Sequence, residues 1–295
     1  MQKDKTLKFW DDFYEQEASQ SNATEWILQP SESILQSIAN HLPNGGKHKI
    51  LEIGCGNSSF SLQLWRHLQS IVNEGGKIRE ANVIATDVSS ICIEQNLERD
   101  MRHTIQPSNN TSSGSFHYDV LNVLEAPNES LSGKHAIVLD KGCFDTFLFR
   151  SEKTKSGQHS PLIGKLLNNV HALLKPDGKY IIFSPRNKIK AIRDFNGFSA
   201  AERSRFDSKD NEIGTLDGRA VKNDVVYMHV CTKNNAYVNV KEESSFRNQM
   251  ELPTDDKCCA SCGVTFFDFR KGELMSGKGL MYWGRRWQGH VTHCK

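Results

Sequence analysis

KILEIGCG, residues 49–56, runs directly into NSSFSLQLWRHLQSIV (57–72), and this junction decides how the rest of the chain is read. The first part is a short apolar run, the pattern of a strand buried on both faces. It breaks at Gly54-Cys55-Gly56, where glycine lets the backbone turn tightly and approach a ligand. From Ser58 to Val72 the second part carries apolar residues at helical spacing and is closed by EGGK (74–77). Strand, glycine turn and helix in this order bring a helix N-terminus, which favours negative charge, beside the turn. The dinucleotide fingerprint GxGxxG requires a third glycine, and Ser59 stands there instead. Glu52 lies in the strand just ahead of the turn and suits a cationic or amino-acid-like ligand better than a pyrophosphate. A tight strand-to-helix turn without a ligand is the plain alternative.

The same alternation extends to both sides. SESILQSIANHL (31–42) has helical spacing at Ile34, Leu35, Ile38 and Leu42, with Ser31 as N-cap. NVIATD (82–87) reads as a second strand, and SSICIEQNLERDM (89–101) as the helix after it. Past a polar loop (103–115), FHYDV (116–120) and HAIVLD (135–140) read as the third and fourth strands. PLIGKLLNNVHALLKPDG (161–178) predicts a helix stopped by Pro176 and Gly178, and KYIIFS (179–184) a fifth strand. Strands alternating with helices imply βαβ units, hence an α/β fold with a mostly parallel sheet covered on both faces. Residues 193–223 are polar and give no clear element, whereas NDVVYMHVCTKN (223–234) reads as a late strand. Residues 241–257 have the composition of a linker, and 258–295, rich in Cys, His, Gly and Trp, read as a separate small Cys/His module.

A chain of 295 residues is long enough for one large domain or one domain with a small companion. Its formal net charge of +2 makes no whole-chain case for nucleic acid or an anionic membrane. MQKDKTLKFWDDFYEQE reads as neither a secretory signal nor a transit peptide, and no apolar run reaches the roughly 20 residues that span a bilayer. A cytoplasmic protein with no membrane partner is the expectation, and its eight cysteines are then thiols or metal ligands rather than a disulfide framework.

The second strand ends in Asp87, where nucleotide-binding α/β folds place an acid on ribose hydroxyls. The third ends in Asp119, placed to accept from an adenine amino group. Three acids in order around one glycine turn line the crevice in which such sheets bind ligands. ILEIGCGNSS, ATDVSS, FHYDV and LLKPDGKYIIFS resemble the consecutive motifs of class I S-adenosylmethionine-dependent methyltransferases, over residues 31–240. KFWDDFYEQE, EWI (25–27) and VLDKGCFDT (138–146) resemble more narrowly the methyltransferase-like lysine methyltransferases that act on proteins such as elongation factor 1A. Cys143 stands where that family commonly has Thr.

The resemblance implies a Rossmann-like sheet of seven strands with the last antiparallel, and S-adenosyl-L-methionine as cofactor. Glu52, Gly54, Gly56 and Asn57 would then form the loop around its methionine end. Asp87 would hold the ribose with Val88 beside it, and Asp119 and Val120 would meet the adenine. Trp10, Tyr14 and Trp26 would belong to a lid formed by residues 1–30, ordinary helix packing being the other reading. Methyl transfer is an in-line displacement that needs a deprotonated nucleophile held close. A free lysine titrates near 10.4, so desolvation must bring that value down. Asp140, at the end of the fourth strand, would be the catalytic acid that orients the incoming ammonium at the channel mouth; a cap on the following turn is the alternative. Cys143 lacks the partner base that covalent cysteine chemistry wants.

In the tail, Cys259-x-x-Cys262-Gly263 has the form of a zinc knuckle, and His290-x-x-x-Cys294 would complete a tetrahedral site with a structural zinc ion. Cys258 and His293 are alternative ligands, and free thiols on a docked tail the plain reading. Arg270, Lys271, Lys278, Arg285 and Arg286 among Tyr282, Trp283 and Trp287 make RNA contact conceivable, and a protein-docking surface no less so. The expectation is a methyltransferase acting on a protein lysine. A methyltransferase of the same fold acting on RNA or a small molecule is the first alternative. A noncatalytic adaptor keeping the fold is the second.

Overall fold

The computed structural model describes residues 5–17, 25, 27–101, 114–151, 161–199, 202–206 and 225–237. Seven strands form one sheet: β1 (Lys47–Ile53), β2 (Glu80–Asp87), β3 (Phe116–Val120), β4 (His135–Lys141), β5 (Leu174–Ser184), β6 (Glu202–Phe206) and β7 (Val226–Thr232). Their order is β3-β2-β1-β4-β5-β7-β6. The first five pair in parallel, while β7 runs antiparallel to both β5 and β6. The helices are α1 (Lys5–Glu17), α2 (Glu32–Ala39), α3 (Phe60–Asn73), α4 (Ser90–Met101), α5 (Cys143–Ser151), α6 (Pro161–Leu173) and α7 (Lys190–Asp194). The alternation led to the α/β class, and this is the Rossmann-like seven-stranded sheet that the resemblance implies.

Alternate residues of the central strands feed two apolar layers, one on each face. Ile50, Ile137, Leu139, Ile181 and Phe183 pack with Ile34 and Ile38 of α2 and Phe60, Leu64 and Leu68 of α3. Leu51, Ile53, Val138, Tyr180 and Ile182 pack with Phe144 and Leu148 of α5 and Ile163, Leu166 and Val170 of α6. Every residue of β4 is buried, which explains why its sequence runs apolar without alternation. The sheet order turns back between β1 and β4, so the loops after these two strands face each other across the switch point, where open α/β sheets bind ligands.

Three expectations change. The helix read as 161–178 stops at Leu173. Proline disfavours helical backbone at the residue before it, and Lys175 precedes Pro176. Leu174 already pairs with His135 and Lys179 with Ile137, so residues 175–178 bulge out of β5. Gly178 belongs there because a Cβ would lie 2.8 Å from Lys175 O and 2.9 Å from His135 O. The stretch 193–223 holds β6, whose burial pattern leaves only Phe206 covered. Cys143–Ser151, to which the sequence reading assigned no element, is α5. Trp26, the proposed linker 241–257, and Cys259, Cys262, His290 and Cys294 lie outside the described residues. Among the described residues no cluster of His, Cys, Asp or Glu is arranged to hold a metal, and no helix is long and apolar enough to cross a membrane.

Candidate active site

The glycine loop leaves β1 with Gly54 at φ +61° and Gly56 at φ +57°, conformations that favour glycine. A Cβ on Gly54 would also stand 2.7 Å from the Cβ of Cys143. The loop after β1 and the first residue of α5 are therefore in contact. Cys143 fills space there as a small side chain. Burial, with Asp140, Asp87, Glu52 and Asp145 around it, pushes its thiol well above the ordinary range. An anionic sulfur is disfavoured at that place, so Cys143 is no thiolate nucleophile.

Two side chains of α4 hold the loop from the other side. Asn96 Nδ2 donates to Gly56 O at 2.7 Å, and Arg99 Nη1 donates to Asn57 O at 2.7 Å and to Asn96 Oδ1 at 2.8 Å. Arg99 also pairs with Asp100, whose other oxygen accepts the Tyr118 hydroxyl at 2.5 Å. Neither Asn96 nor Arg99 was singled out in the sequence. Their one-turn spacing was a usable signal, but Glu94, Glu98 and Asp100 on the same helix masked it.

Asp87 ends β2 and is 5% exposed. Gly56 N–H donates to Oδ2 and Ser89 N–H to Oδ1, each at 3.0 Å. Burial raises its pKa although these donors pull it down. Val88 is half-buried beside it. Asp119 and Val120 are exposed at the end of β3, Val120 to 49%, an unusual degree for a valine and one that leaves its face open to a flat ring. Helix α1 lies against α4. Asp11 accepts from the Ser89 hydroxyl at 2.7 Å, and Gln95 Nε2 donates to Tyr14 O at 2.9 Å. Trp10 stacks on Tyr14, with ring centroids 6.1 Å apart, in a cluster with Phe13 and Cys92. Trp10 and Tyr14 thus pack beside the start of α4, next to Asp87.

Glu52 is 1% exposed. Its Oε2 accepts from Ser61 Oγ, while Oε1 meets no donor among the described residues. Burial outweighs the attraction of Lys141 and pushes this carboxyl up to about 7. A buried carboxylate oxygen without a donor is what a ligand cation would complete.

Asp140, next to the last residue of β4, is wholly buried. Both oxygens accept Phe144 N–H, at 3.1 and 3.0 Å, and the Tyr180 hydroxyl donates to Oδ2 at 2.8 Å. The carboxylate caps the first turn of α5, the alternative weighed for it. Burial pushes it up to about 7. The next residue, Lys141, pairs with Glu25 at 3.0 Å, and Asp145 accepts from Ser184 Oγ and pairs with Arg186.

A glycine loop held open by α4, with acids at three successive strand ends around the switch point, defines a Rossmann-like ligand-binding fold. The family follows from the sequence match. A model of the methyltransferase domain matches residues 45–243, and the chain belongs to that family. The mouse eEF1A lysine and N-terminal methyltransferase is 26% identical over 179 residues, which cover 60% of this chain and 21% of that protein. The match therefore spans about a fifth of that relative's length. A solved structure from work on conversion of a disulfide bond into a thioacetal group during echinomycin biosynthesis has a TM-score of 0.51. It is 14% identical and covers 77% of this chain and 93% of its own. The geranyl diphosphate C-methyltransferase of Streptomyces coelicolor A3(2) has a TM-score of 0.46 at 10% identity, covering 79% of this chain and all of that one.

Proposed function

We propose that the protein is an S-adenosylmethionine-dependent methyltransferase that transfers methyl to a lysine side chain of a protein substrate. The observation that carries the protein-lysine reading is the joining of its two narrow motifs. EWI and DKG, far apart in sequence, meet through Glu25 and Lys141 and through Ile27 packed on Gly142. The mouse relative's name points the same way.

The described residues fit the cofactor. The donorless Glu52 Oε1 is suited to the amino-acid ammonium, and Gly54 and Gly56, both at positive φ, turn the loop tightly beside it. Asp87 would accept from the ribose, and Asp119 with the open face of Val120 would take the adenine. The cofactor, when bound, supplies an electrophilic methyl group on a sulfonium. The chain's own part is to hold the loops after β1 and β4 at a fixed separation and to keep Cys143 as an uncharged thiol beside the glycine loop. It must also desolvate the incoming amine so that it loses its proton. Asp140 would act by fixing α5 rather than by touching substrate.

Incubating the protein with methyl-labelled cofactor and a cell lysate tests this reading. Label in protein-sized material that protease releases and RNase leaves is expected. RNase-sensitive label would move the substrate to RNA, and no label together with no cofactor binding would leave the adaptor reading. The tail is part of the proposal as a structural zinc module held by Cys259, Cys262, His290 and Cys294. Near one zinc per chain by metal analysis, lost in Cys259→Ser and Cys262→Ser, is the expected outcome; equal near-zero content in all three samples would refute it.

A further inference from the structure

The contact between Glu25 and Lys141 does more than unite two motifs. Lys141 Nζ lies 3.0 Å from Glu25 Oε2, with the two side chains 1% and 4% exposed. The same carboxylate accepts Ser58 Oγ at 2.6 Å, Ser59 N–H at 3.0 Å and Ser59 Oγ at 3.2 Å. Phe60 places its ring 5.7 Å from the ammonium. Burial works against the ionised Glu25, yet Lys141 and the serine donors hold its pKa below the ordinary value. Each partner comes from a different wall of the switch-point crevice. Ser58 and Ser59 directly follow the glycine loop of β1, and Lys141 directly precedes Gly142 and Cys143, the latter pressed on Gly54. Gly142 has φ +100°, and a Cβ there would lie 2.7 Å from Ile27 Cδ1, so Ile27 packs down on this loop as well.

We propose that Glu25 and Lys141 are positioning residues for the cofactor site: their buried pair holds Glu25, with Ile27 near it, across the gap between the β1 and β4 loops and so sets how tightly S-adenosylmethionine is held. The inference rests on the cofactor reading above. A buried ion pair adds little net stability over apolar residues of the same size, whereas removing one partner strands the other charge. Glu25 also occupies the donors at the start of α3 that a ligand carboxylate would otherwise meet. A ligand entering this crevice therefore meets a wall built by the pair.

The test is calorimetric titration of the full chain with S-adenosylhomocysteine, for wild type, Lys141→Met, Glu25→Gln and the double variant, with folding followed by circular dichroism. Each single variant is expected to weaken binding about tenfold or more, because an uncompensated charge reopens the wall. The double variant is expected within about threefold of wild type, since it strands neither partner's charge and the amide oxygen at position 25 still accepts from Ser59. Limited proteolysis should show the N-terminal segment cut faster in the singles than in wild type or the double. Wild-type affinity in a folded single variant, or a folded double variant as weak as the singles, overturns the proposal. If the singles do not fold, the double variant decides by the same threefold and tenfold marks. If none of the three folds, the pair is structural and the proposal fails. No binding by wild type would overturn the cofactor reading itself, and the clamp with it.

Discussion

At the residue scale, Gly54 carries two constraints at once. Its φ of +61° costs any other L-residue roughly 1–2 kcal/mol, and its missing Cβ leaves the room that Cys143 fills. Gly54→Ala is therefore expected to weaken S-adenosylhomocysteine binding by about tenfold or more while the chain stays folded. Gly54→Ala combined with Cys143→Ala should recover only part of the loss, because Cβ still faces Cβ and the backbone strain remains; titration of both variants checks this. Glu52 makes a second prediction. Burial sets its carboxyl at about 7 against an ordinary 4.5. In the free protein it keeps its proton below that value, and a ligand ammonium at Oε1 would expel it. Binding should thus weaken as pH falls below about 7 and release close to one proton at about pH 6. Calorimetry in two buffers of different ionisation heat measures the release, which Glu52→Gln should abolish. The positions of the glycines and strand-end acids were legible in the sequence because they depend on local order along the chain. The bonds from Asn96 and Arg99 were not, since polar residues on a helix face look alike until the loop they hold is placed.

At the element scale, the β4–α5 junction shows what a buried acid at a strand end can do. Asp140 serves α5 through Phe144 N–H and serves β5 through Tyr180. Asp140→Ala leaves both donors unpaired in a dry interior and should cost about 1–3 kcal/mol, measured by urea unfolding. Asp140→Asn keeps an acceptor for Phe144 and a partner for Tyr180 and should unfold close to wild type. Methyl transfer by that variant should also remain within about tenfold of wild type; a folded Asp140→Asn protein that loses more than about a hundredfold would return Asp140 to the substrate. The strand itself was readable because a fully buried parallel strand is a run of apolar residues. The helix after it was not, because its short CFDTFLFRS sequence follows a glycine and has no strong cap within its own length. β6 was hidden for the opposite reason: an edge strand with four exposed polar residues carries almost no apolar signal.

At the scale of the whole molecule, the alternation of strands and helices made the α/β class legible. The sheet's turn-back between β1 and β4 and the bridging of its loops by Glu25 depend on contacts that no local periodicity reports. The same sheet sets an acid-side behaviour that only the assembled molecule has. His48, His135 and His229 are 3%, 1% and 5% exposed, each lowered from its ordinary 6.5 first by burial, with Lys175, Lys49 and Arg203 adding like-charge repulsion in turn. Below 6.5 the unfolded chain binds protons that these folded histidines refuse, so stability falls as pH falls through that value. Glu52 and Asp140 act in the other sense. Folded, each takes a proton near 7, whereas unfolded they wait until about 4.5 and 3.8, so together they add stability as pH falls across that interval. Wild type should therefore show a shallow acid slope in which the two sets offset each other. Glu52→Gln combined with Asp140→Asn removes the compensating carboxyls and should lose stability more steeply between about pH 6.5 and 5, with a slope change of up to about 1.4 kcal/mol per pH unit for each carboxyl. His48→Leu in that background should flatten the slope again by removing one proton acceptor from the unfolded side. Urea unfolding at steps of pH on the three proteins measures both changes, and parallel stability curves for wild type and the carboxyl variant would show that these buried groups do not hold their protons as the fold dictates.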